Sequence, residues 1–484
     1  MNQQLWNDLI EQSKQDWLIG WEAQAILNLT NQKIIQLKQL QTKKELPLNI
    51  LLAETNPRSF IASFFASIIT NNYIFLCNPD WQKSEWQQVF ELVDPDLIWI
   101  ENKIKLLHEW QKQSTKNQNL DNPKNIFQSK IKTSLSTPNN SSLIMIPTGG
   151  SSGKIRFAIH TWSTLTASVQ GFCQYFQIKT INSCCLLPLY HVSGLMQLMR
   201  SFLTKGKLII FPYQNLKQGK QPNIDLEEFF VSLVPTQLQF LLQSNPHWLA
   251  SFQTVLLGGA PAWQSLLDRA RKYRIALAPS YGMTETASQI VTLQPKDFLA
   301  GNNSNGQVLP HAQVTIIDDN QQLLINGKIG QIFIKSNSLS WGYYPQFNPN
   351  QILNTDDLGW FDKQGYLHII GRSSQKIITG GENVFPLEVE AAILATGLVK
   401  DVCVIGLPDC HWGQVVTAVY VPSKLDVSEK LIQQKLQQQL SKYKHPKLWF
   451  SVDCLPRNQQ GKINYQQILE IVVIADLAVQ RKIM

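Results

Sequence analysis

Short apolar runs recur along most of the chain, separated by longer stretches in which apolar positions return with helical spacing. Ile50–Ala53, Tyr73–Leu76, Leu143–Ile146, Cys184–Leu187, Leu208–Phe211, Val255–Leu257 and Ile275–Ala278 read as buried strands. Among the intervening helices, Pro261–Tyr273 places a proline in its first turn. This alternation predicts an α/β fold with several packed layers. The stretch 111–140 is rich in Asn, Gln, Ser and Lys and predicts a surface loop or linker. Beyond Gly371 the pattern changes. Pro386–Ala395 and Ser428–Tyr443 read as helices, Val402–Ile405, Val415–Val421 and Trp449–Val452 as strands, and a last helix follows Lys462. That region predicts a small, separate α+β unit, and no internal repeat is visible.

Composition narrows the class. With 484 residues, 44% of them apolar and 16% charged, the chain suits two or three globular domains. The net charge of +8 is spread without blocks or basic–aromatic stripes, so a nucleic-acid partner has no support and anionic small molecules suit it better. Seven cysteines include no C-x-x-C pair, and no Cys/His spacing suggests a resident metal centre; adjacent Cys184 and Cys185 read as buried thiols. Residues 1–20 lack the apolar core of a signal peptide, and Ile471–Val479, interrupted by Asp476, is too short to span a bilayer. A cytoplasmic protein with no membrane span is expected. No oligomeric state follows from the sequence.

Thr148-Gly149-Gly150-Ser151-Ser152-Gly153-Lys154 follows a predicted strand. Its glycines let backbone N–H groups converge on an anion, and its hydroxyls add donors. A Walker motif does not fit: its first glycine falls on Thr148, and Ile155 stands where Ser or Thr would hold magnesium. Arg156–His160 alternates like a strand, so a strand–loop–strand phosphate cradle fits better. Alone, such a loop is also what a surface turn looks like.

Further motifs follow in order. They are Leu257-Gly258-Gly259-Ala260-Pro261, which ends a predicted strand and starts a predicted helix, and Ser280-Tyr281-Gly282-Met283-Thr284-Glu285-Thr286. Then come Thr355-Asp356-Asp357-Leu358-Gly359, Gly371-Arg372, Gly380-Gly381-Glu382-Asn383 and Pro456-Arg457-Asn458-Gln459-Gln460-Gly461-Lys462. Together they resemble the adenylate-forming superfamily of acyl-CoA synthetases, luciferases and adenylation domains. The family loop T-S-G-[ST]-T-G-x-P-K-G is followed from Thr148 to Gly153; Ile155, Arg156 and Phe157 then replace its Pro, Lys and Gly.

The resemblance implies an N-terminal adenylate-forming domain over 1–371, a hinge at 372–376 and a mobile C-terminal α+β lid over 377–484. It also implies an ATP site. Thr148, Gly149, Gly150, Ser151, Ser152 and Gly153 would cradle phosphate, and Gly258, Gly259 and Ala260 would pack on adenine. Within Ser280, Tyr281, Gly282 and Met283, the Tyr281 ring would stack on adenine. Thr284 would touch phosphate, Glu285 would anchor Mg²⁺, and Asp357 would accept from both ribose hydroxyls beside Arg372. Gly380 and Gly381 would border the CoA tunnel. Lys462 would be the catalytic lysine, although an isolated lysine after a turn is ordinarily a solvated one. At the hinge, Gln375 stands where relatives usually carry Asp or Lys.

The implied reaction is ATP-dependent joining of a carboxylic acid to a thiol through an acyl-adenylate. A carboxylate and ATP repel each other, so concentrated positive charge is required, and magnesium, the N–H cradle and Lys462 would supply it. Leu187–Leu195 (L-P-L-Y-H-V-S-G-L) and Ser280–Leu293 resemble the o-succinylbenzoate–CoA ligase branch, which serves menaquinone and phylloquinone biosynthesis. Its substrate carries a second carboxylate and a ketone, for which His191, Ser193, Ser288 and Gln289 are candidate donors. His191 also suits a packing role at a pocket mouth. A fatty-acyl or aryl-CoA ligase, or an enzyme loading a carrier-protein thiol, stays open.

Overall fold

The computed structural model describes residues 2–44, 47–100, 142–149, 154–349, 352–409, 411–424, 427–437, 439–457 and 463–483. Gly150, Ser151, Ser152, Gly153, Lys462 and the polar stretch 111–140 lie outside the described residues.

Two mixed sheets, each with a parallel core, face each other across a layer of helices. One sheet runs, in spatial order, Gln346–Phe347, Gly342–Tyr343, Ile155–His160, Leu143–Gly149, Tyr73–Leu76, Asn49–Ala53 and Leu97–Ile100. The other runs Leu18–Ile19, Leu208–Ile210, Asn182–Cys185, Phe229–Leu233, Thr254–Leu257, Leu277–Met283, Ser288–Thr292 and Gln307–Val308. The apolar runs are continuous because both faces of each sheet are covered. Ile50, Leu52, Ile74, Leu76, Ile144 and Ile146 point into the central helical layer, whereas Leu51, Phe75, Leu143 and Met145 point to the outer face. Successive side chains on a strand alternate faces, so each strand serves two cores at once.

The central helices are apolar nearly all round. In Pro57–Ile69 every residue from Phe60 to Ile69 is buried. Proline opens that helix, and the Asn56 side chain caps it by accepting from Arg58 N–H at 2.9 Å. Phe65 stacks obliquely on Phe202 of helix Val192–Leu203, ring centroids 4.6 Å apart, tying two helices together.

An antiparallel sheet of Ala312–Ile317, Gly330–Ser336, Ile352–Phe361 and Leu367–Arg372 follows. The last region holds five strands, Ile377–Thr379, Glu382–Val384, Val399–Asp409, Gly413–Pro422 and Leu448–Ser451, with helices Pro386–Ala395, Glu429–Leu436 and Tyr465–Ile483. Here too alternation splits one strand between two cores: Val402 and Val404 face one, Cys403 and Ile405 the other.

Several boundaries differ from expectation, each for a physical reason. Helix Gln264–Lys272 begins three residues after Pro261, where its buried face of Leu266, Leu267 and Ala270 begins. Pro261 is therefore in an extended lead-in rather than a first turn. The Gln-rich helix spans Glu429–Leu436 instead of running to Tyr443, because Ile432 and Leu436 are its only buried anchors. The strand expected over Cys184–Leu187 is Asn182–Cys185, and Leu186 to Pro188 leave the sheet. The strand expected over Ile275–Ala278 is Leu277–Met283, extended by pairing with Ser288–Thr292. Among the described residues no helix is long and apolar enough to cross a membrane.

Candidate active site

A cavity of about 800 Å³ opens where the parallel strands of both sheets end. Several strands hand the residues that follow them to the wall. Glu54 and Thr55 follow Asn49–Ala53, Leu186 to Ser193 follow Asn182–Cys185, and Phe211 to Gln214 follow Leu208–Ile210. Gly258 and Gly259 follow Thr254–Leu257, and Thr284 follows Leu277–Met283. Crevices beyond the carboxyl ends of parallel strands are the usual ligand sites of α/β folds. Ser280, Gly282, Met283, His191, Ser193, Ser288 and Gln289 also line the cavity.

The signature segment changes direction sharply. Strand Leu277–Met283 gives way to a single 3-10 turn, Thr284–Thr286, after which Ala287 adopts a left-handed backbone (φ 58°) and the chain returns as Ser288–Thr292. Gly282 sits at an irregularity in this pairing; a Cβ there would lie 2.1 Å from the Ser288 carbonyl oxygen, so glycine is required by close approach. All three carbonyls of the turn are held from elsewhere. His160 Nε2 contacts the Thr284 oxygen at 2.8 Å, Ser340 N–H donates to that of Glu285 at 2.8 Å, and Ser338 Oγ to that of Thr286 at 3.0 Å. Burial pulls the His160 pKa down to about 4. The ring is thus neutral near pH 7: Nε2–H donates to Thr284, and Nδ1 accepts from Thr164 Oγ1 at 3.0 Å.

Glu285 and Asp357, outside the cavity lining, are already engaged by chain donors. Tyr281 Oη donates to Asp357 Oδ2 at 2.7 Å, and Arg372 Nε lies 3.4 Å from Oδ1, Asp357 and Arg372 being partners across adjacent strands. Burial, then the Asp357 charge, raises the Tyr281 pKa far above the usual phenol, so its proton stays. Tyr343 Oη donates to Glu285 Oε1 at 2.5 Å, and the Arg156 guanidinium lies 4.2 Å from the Tyr343 ring centroid. Three sequence-predicted residues, Tyr281, Asp357 and Arg372, are therefore brought together. Asp356, where the family motif has glycine, accepts from Ser374 N–H at 3.1 Å and from its hydroxyl.

Glu285 fits a magnesium ion of the substrate-bridging kind. Among the described residues no cluster of three His, Cys, Asp or Glu could form a cage. Mg²⁺ commonly uses one or two carboxylates and completes its shell with phosphates and water. Glu285 offers one such carboxylate, with Oε1 fixed by Tyr343.

The acyl-side expectation is redrawn. Ser288 and Gln289 line the cavity, yet their oxygens are turned to Arg200, whose Nη2 donates to Ser288 Oγ and Gln289 Oε1, each at 2.7 Å. Ser288 Oγ in turn donates to Gln289 Oε1 at 2.5 Å. Their oxygens orient a cation, while Gln289 Nε2 is buried without a partner among the described residues and stays free to donate. Arg200 is 3% exposed, lies 4.2 Å from the Phe172 ring centroid and touches the cavity, with no carboxylate in ion-pair reach among the described residues. Burial lowers its pKa to about 10, so it stays charged at neutral pH. Both ring nitrogens of His311 are buried without a partner, and burial followed by the Arg200 charge holds that ring neutral, with a pKa of about 4. Arg200 was legible as the lone charge in an otherwise apolar helix, V-S-G-L-M-Q-L-M-R-S-F-L. His311 left no such signal.

Other predicted residues lie apart from the cavity wall. Ala260 follows Gly259 in the extended lead-in to helix Gln264–Lys272. Thr148 and Gly149 close the antiparallel pair with Arg156 and Ile155, a strand–loop–strand arrangement. Gly380 and Gly381 form the tight link between Ile377–Thr379 and Glu382–Val384, with φ of 59° and 85°; a Cβ on Gly380 would meet the Trp412 ring at 2.8 Å.

Comparison with known proteins agrees with this architecture. The model of the AMP-binding enzymes matches residues 36–344, and that of the AMP-binding enzyme C-terminal domain matches 388–462. The chain belongs to the AMP-binding enzyme family. It is 36% identical over 285 residues to a 2-succinylbenzoate–CoA ligase of Oceanobacillus iheyensis, a match spanning 57% of this chain and 58% of that protein. It is 34% identical over 328 residues to the Enterococcus faecalis protein of the same name, spanning 65% and 67%. In fold it is similar to the Bacillus subtilis o-succinylbenzoate CoA synthetase solved with the acyl-adenylate intermediate OSB-AMP (TM-score 0.79, 24% identity, 96% of this chain and 97% of that one). The ATP-bound MatB of Rhodopseudomonas palustris is also similar (TM-score 0.77, 21% identity, 97% and 99%).

Proposed function

We propose that this protein is an AMP-forming acid–thiol ligase that converts o-succinylbenzoate to o-succinylbenzoyl-CoA, a step of menaquinone or phylloquinone biosynthesis. The observation that carries the substrate assignment is Arg200. A buried guanidinium with no carboxylate of its own, opening on a cavity in an AMP-binding enzyme, suits an acid with a second carboxylate. A fatty acid has nothing to offer it.

In the first half-reaction a carboxylate oxygen attacks the α-phosphorus of ATP, pyrophosphate leaves, and a mixed anhydride with AMP forms. In the second, a thiol, deprotonated as it attacks, adds to the anhydride carbonyl and AMP departs. CoA is the proposed thiol. Asp357 can hold the ribose hydroxyls because each of its oxygens keeps a lone pair beyond the bonds to Tyr281 and Arg372. Tyr281 offers its ring to adenine, with Gly258, Gly259 and Ala260 on the other side. Thr284 and the 148–153 loop receive phosphate. Glu285 would hold magnesium, which would supply positive charge to offset that of the triphosphate. Lys462 supplies the second cation, bridging carboxylate and α-phosphate. Gly380 and Gly381 border the thiol's path.

We place the hinge at 372–376, between an N-terminal catalytic domain (1–371) and a C-terminal lid (377–484); supporting this, Ser373–Gln375 is one 3-10 turn between two sheets. Six described cysteines are free, four of them buried, which suits a reducing cytoplasm.

The test is pyrophosphate release with o-succinylbenzoate, benzoate and a fatty acid, each with CoA present. Preference for o-succinylbenzoate with release of AMP is expected. Preference for the fatty acid would overturn the substrate, and ADP in place of AMP would overturn the reaction.

A further inference from the structure

Glu285 is gripped in two independent ways. Its backbone belongs to the 3-10 turn held by His160, Ser338 and Ser340. Among the described residues its side chain is held by Tyr343: Oε1 accepts the phenol hydrogen, and Oε2 has no chain donor there. Tyr343 comes from the short strand Gly342–Tyr343, which pairs with Ala158 of strand Ile155–His160. Two residues earlier on that second strand, exposed Arg156 lays its guanidinium against the Tyr343 ring, 4.2 Å from the centroid. Arg156, ring and carboxylate thus form one line. The arginine stands where the resembling loop motif has a lysine followed by glycine, a departure that the ATP-site reading left unexplained.

We propose that Tyr343 is the positioning residue for the Glu285 carboxylate, holding Oε1 so that Oε2 faces a divalent cation arriving with ATP, and that Arg156 acts on the same carboxylate through the tyrosine ring. This rests on the reading of Glu285 as the magnesium carboxylate. A hydroxyl bonded to an ionised carboxylate is among the stronger hydrogen bonds, and it removes the rotamer freedom that a metal would otherwise have to remove. A cation on the ring face draws electron density from the phenol and strengthens its O–H as a donor. Tyr343 touches neither the reacting atoms nor the backbone bonds of the turn, so its loss should act through the metal and leave the nucleotide pocket standing.

The experiment is calorimetric titration of ATP into the full-length protein over a range of Mg²⁺ concentrations, with a chelator arm, for wild type, Y343F, R156Q and E285Q. For Y343F the Mg²⁺ needed for half-maximal enhancement of ATP binding should rise about tenfold, as for one lost charge-assisted bond, with metal-free ATP affinity unchanged. Arg156 is exposed, so R156Q keeps the fold whatever Y343F does, and should shift the same midpoint about two- to threefold. A Mg²⁺ midpoint unmoved in Y343F and R156Q but moved in E285Q would overturn the proposal and leave the metal reading intact. A midpoint unmoved in E285Q would overturn the metal reading itself. Equal loss of ATP affinity with and without Mg²⁺ in Y343F would mark a structural role and overturn the positioning one.

Discussion

Two regions of the molecule treat charge in opposite ways, the carboxylates of Asp357 and Glu285 outside the cavity lining and the cavity wall at Arg200. On the flank of Asp357 and Glu285, each carboxylate already accepts from a chain donor, Tyr281 or Tyr343, so the geometry stands before any ligand arrives. On the flank of Arg200, a buried cation has only neutral acceptors among the described residues, where Arg200 Nε, Gln289 Nε2 and both His311 nitrogens have none. The first flank is pre-organised. The second is left short of an anion, and a buried charge without a counter-charge weakens the fold until one binds.

Replacing Arg200 should break this contrast most visibly. For Arg200→Met we expect kcat/KM with o-succinylbenzoate to fall about 10²–10³-fold, chiefly through KM, as for truncating one side of a buried charge pair. The thermal midpoint of the ligand-free protein should rise, because an unpaired buried cation is gone. A lower midpoint with equal losses for mono- and dicarboxylates would make Arg200 structural.

Asp357→Asn probes the other flank. The amide still accepts from Tyr281 but is a weaker acceptor, so ATP affinity should drop about tenfold with little change in melting. Calorimetric ATP titration and a melt read both quantities. A large loss of stability would show that this flank, too, depends on its charge to fold.

Acidification should sharpen the contrast further. His160 and His311 have folded pKa values near 4, against an ordinary 6.5, so below 6.5 the unfolded chain binds protons that the folded one refuses. Stability is therefore complete above 6.5 and falls as pH drops toward 4, by up to about 1.4 kcal/mol per pH unit for each histidine. Denaturant melts of wild type and His311→Asn would show the slope and its partial flattening. An unchanged slope would mean that His311 is not held neutral.

The smallest effect is expected at Asp356→Gly, which releases the exposed Ser374 contacts at the proposed hinge. The ratio of adenylation to thiolysis rates should shift by less than about threefold, as befits an exposed hydrogen bond. Unaltered half-reaction rates would exclude Asp356 from control of the hinge.

Much of this was legible along the chain. Tyr73–Leu76 and Pro386–Ala395 have the expected limits, since a strand buried on both faces and a proline-opened helix are local patterns. Boundaries slipped where neighbours decided them. Leu277–Met283 runs past its apolar core because Ser288–Thr292 is there to pair with it, and Glu429–Leu436 ends at its last buried anchor, Leu436. Within the site, Ser288 and Gln289 were legible as polar residues, but the turn of their oxygens to Arg200 was not, because that partner lies 88 and 89 residues away.

The sequence by itself determined most of the strands and helices and the motifs proposed for phosphate, ribose and metal, because periodicity and short motifs are properties of neighbours in the chain. Tertiary structure alone decided that Tyr343 meets Glu285, that Tyr281 meets Asp357 and that Arg200 is buried beside His311. Those meetings depend on how two sheets close over a helical layer, and packing of that kind joins residues whose separation along the chain encodes nothing about their contact.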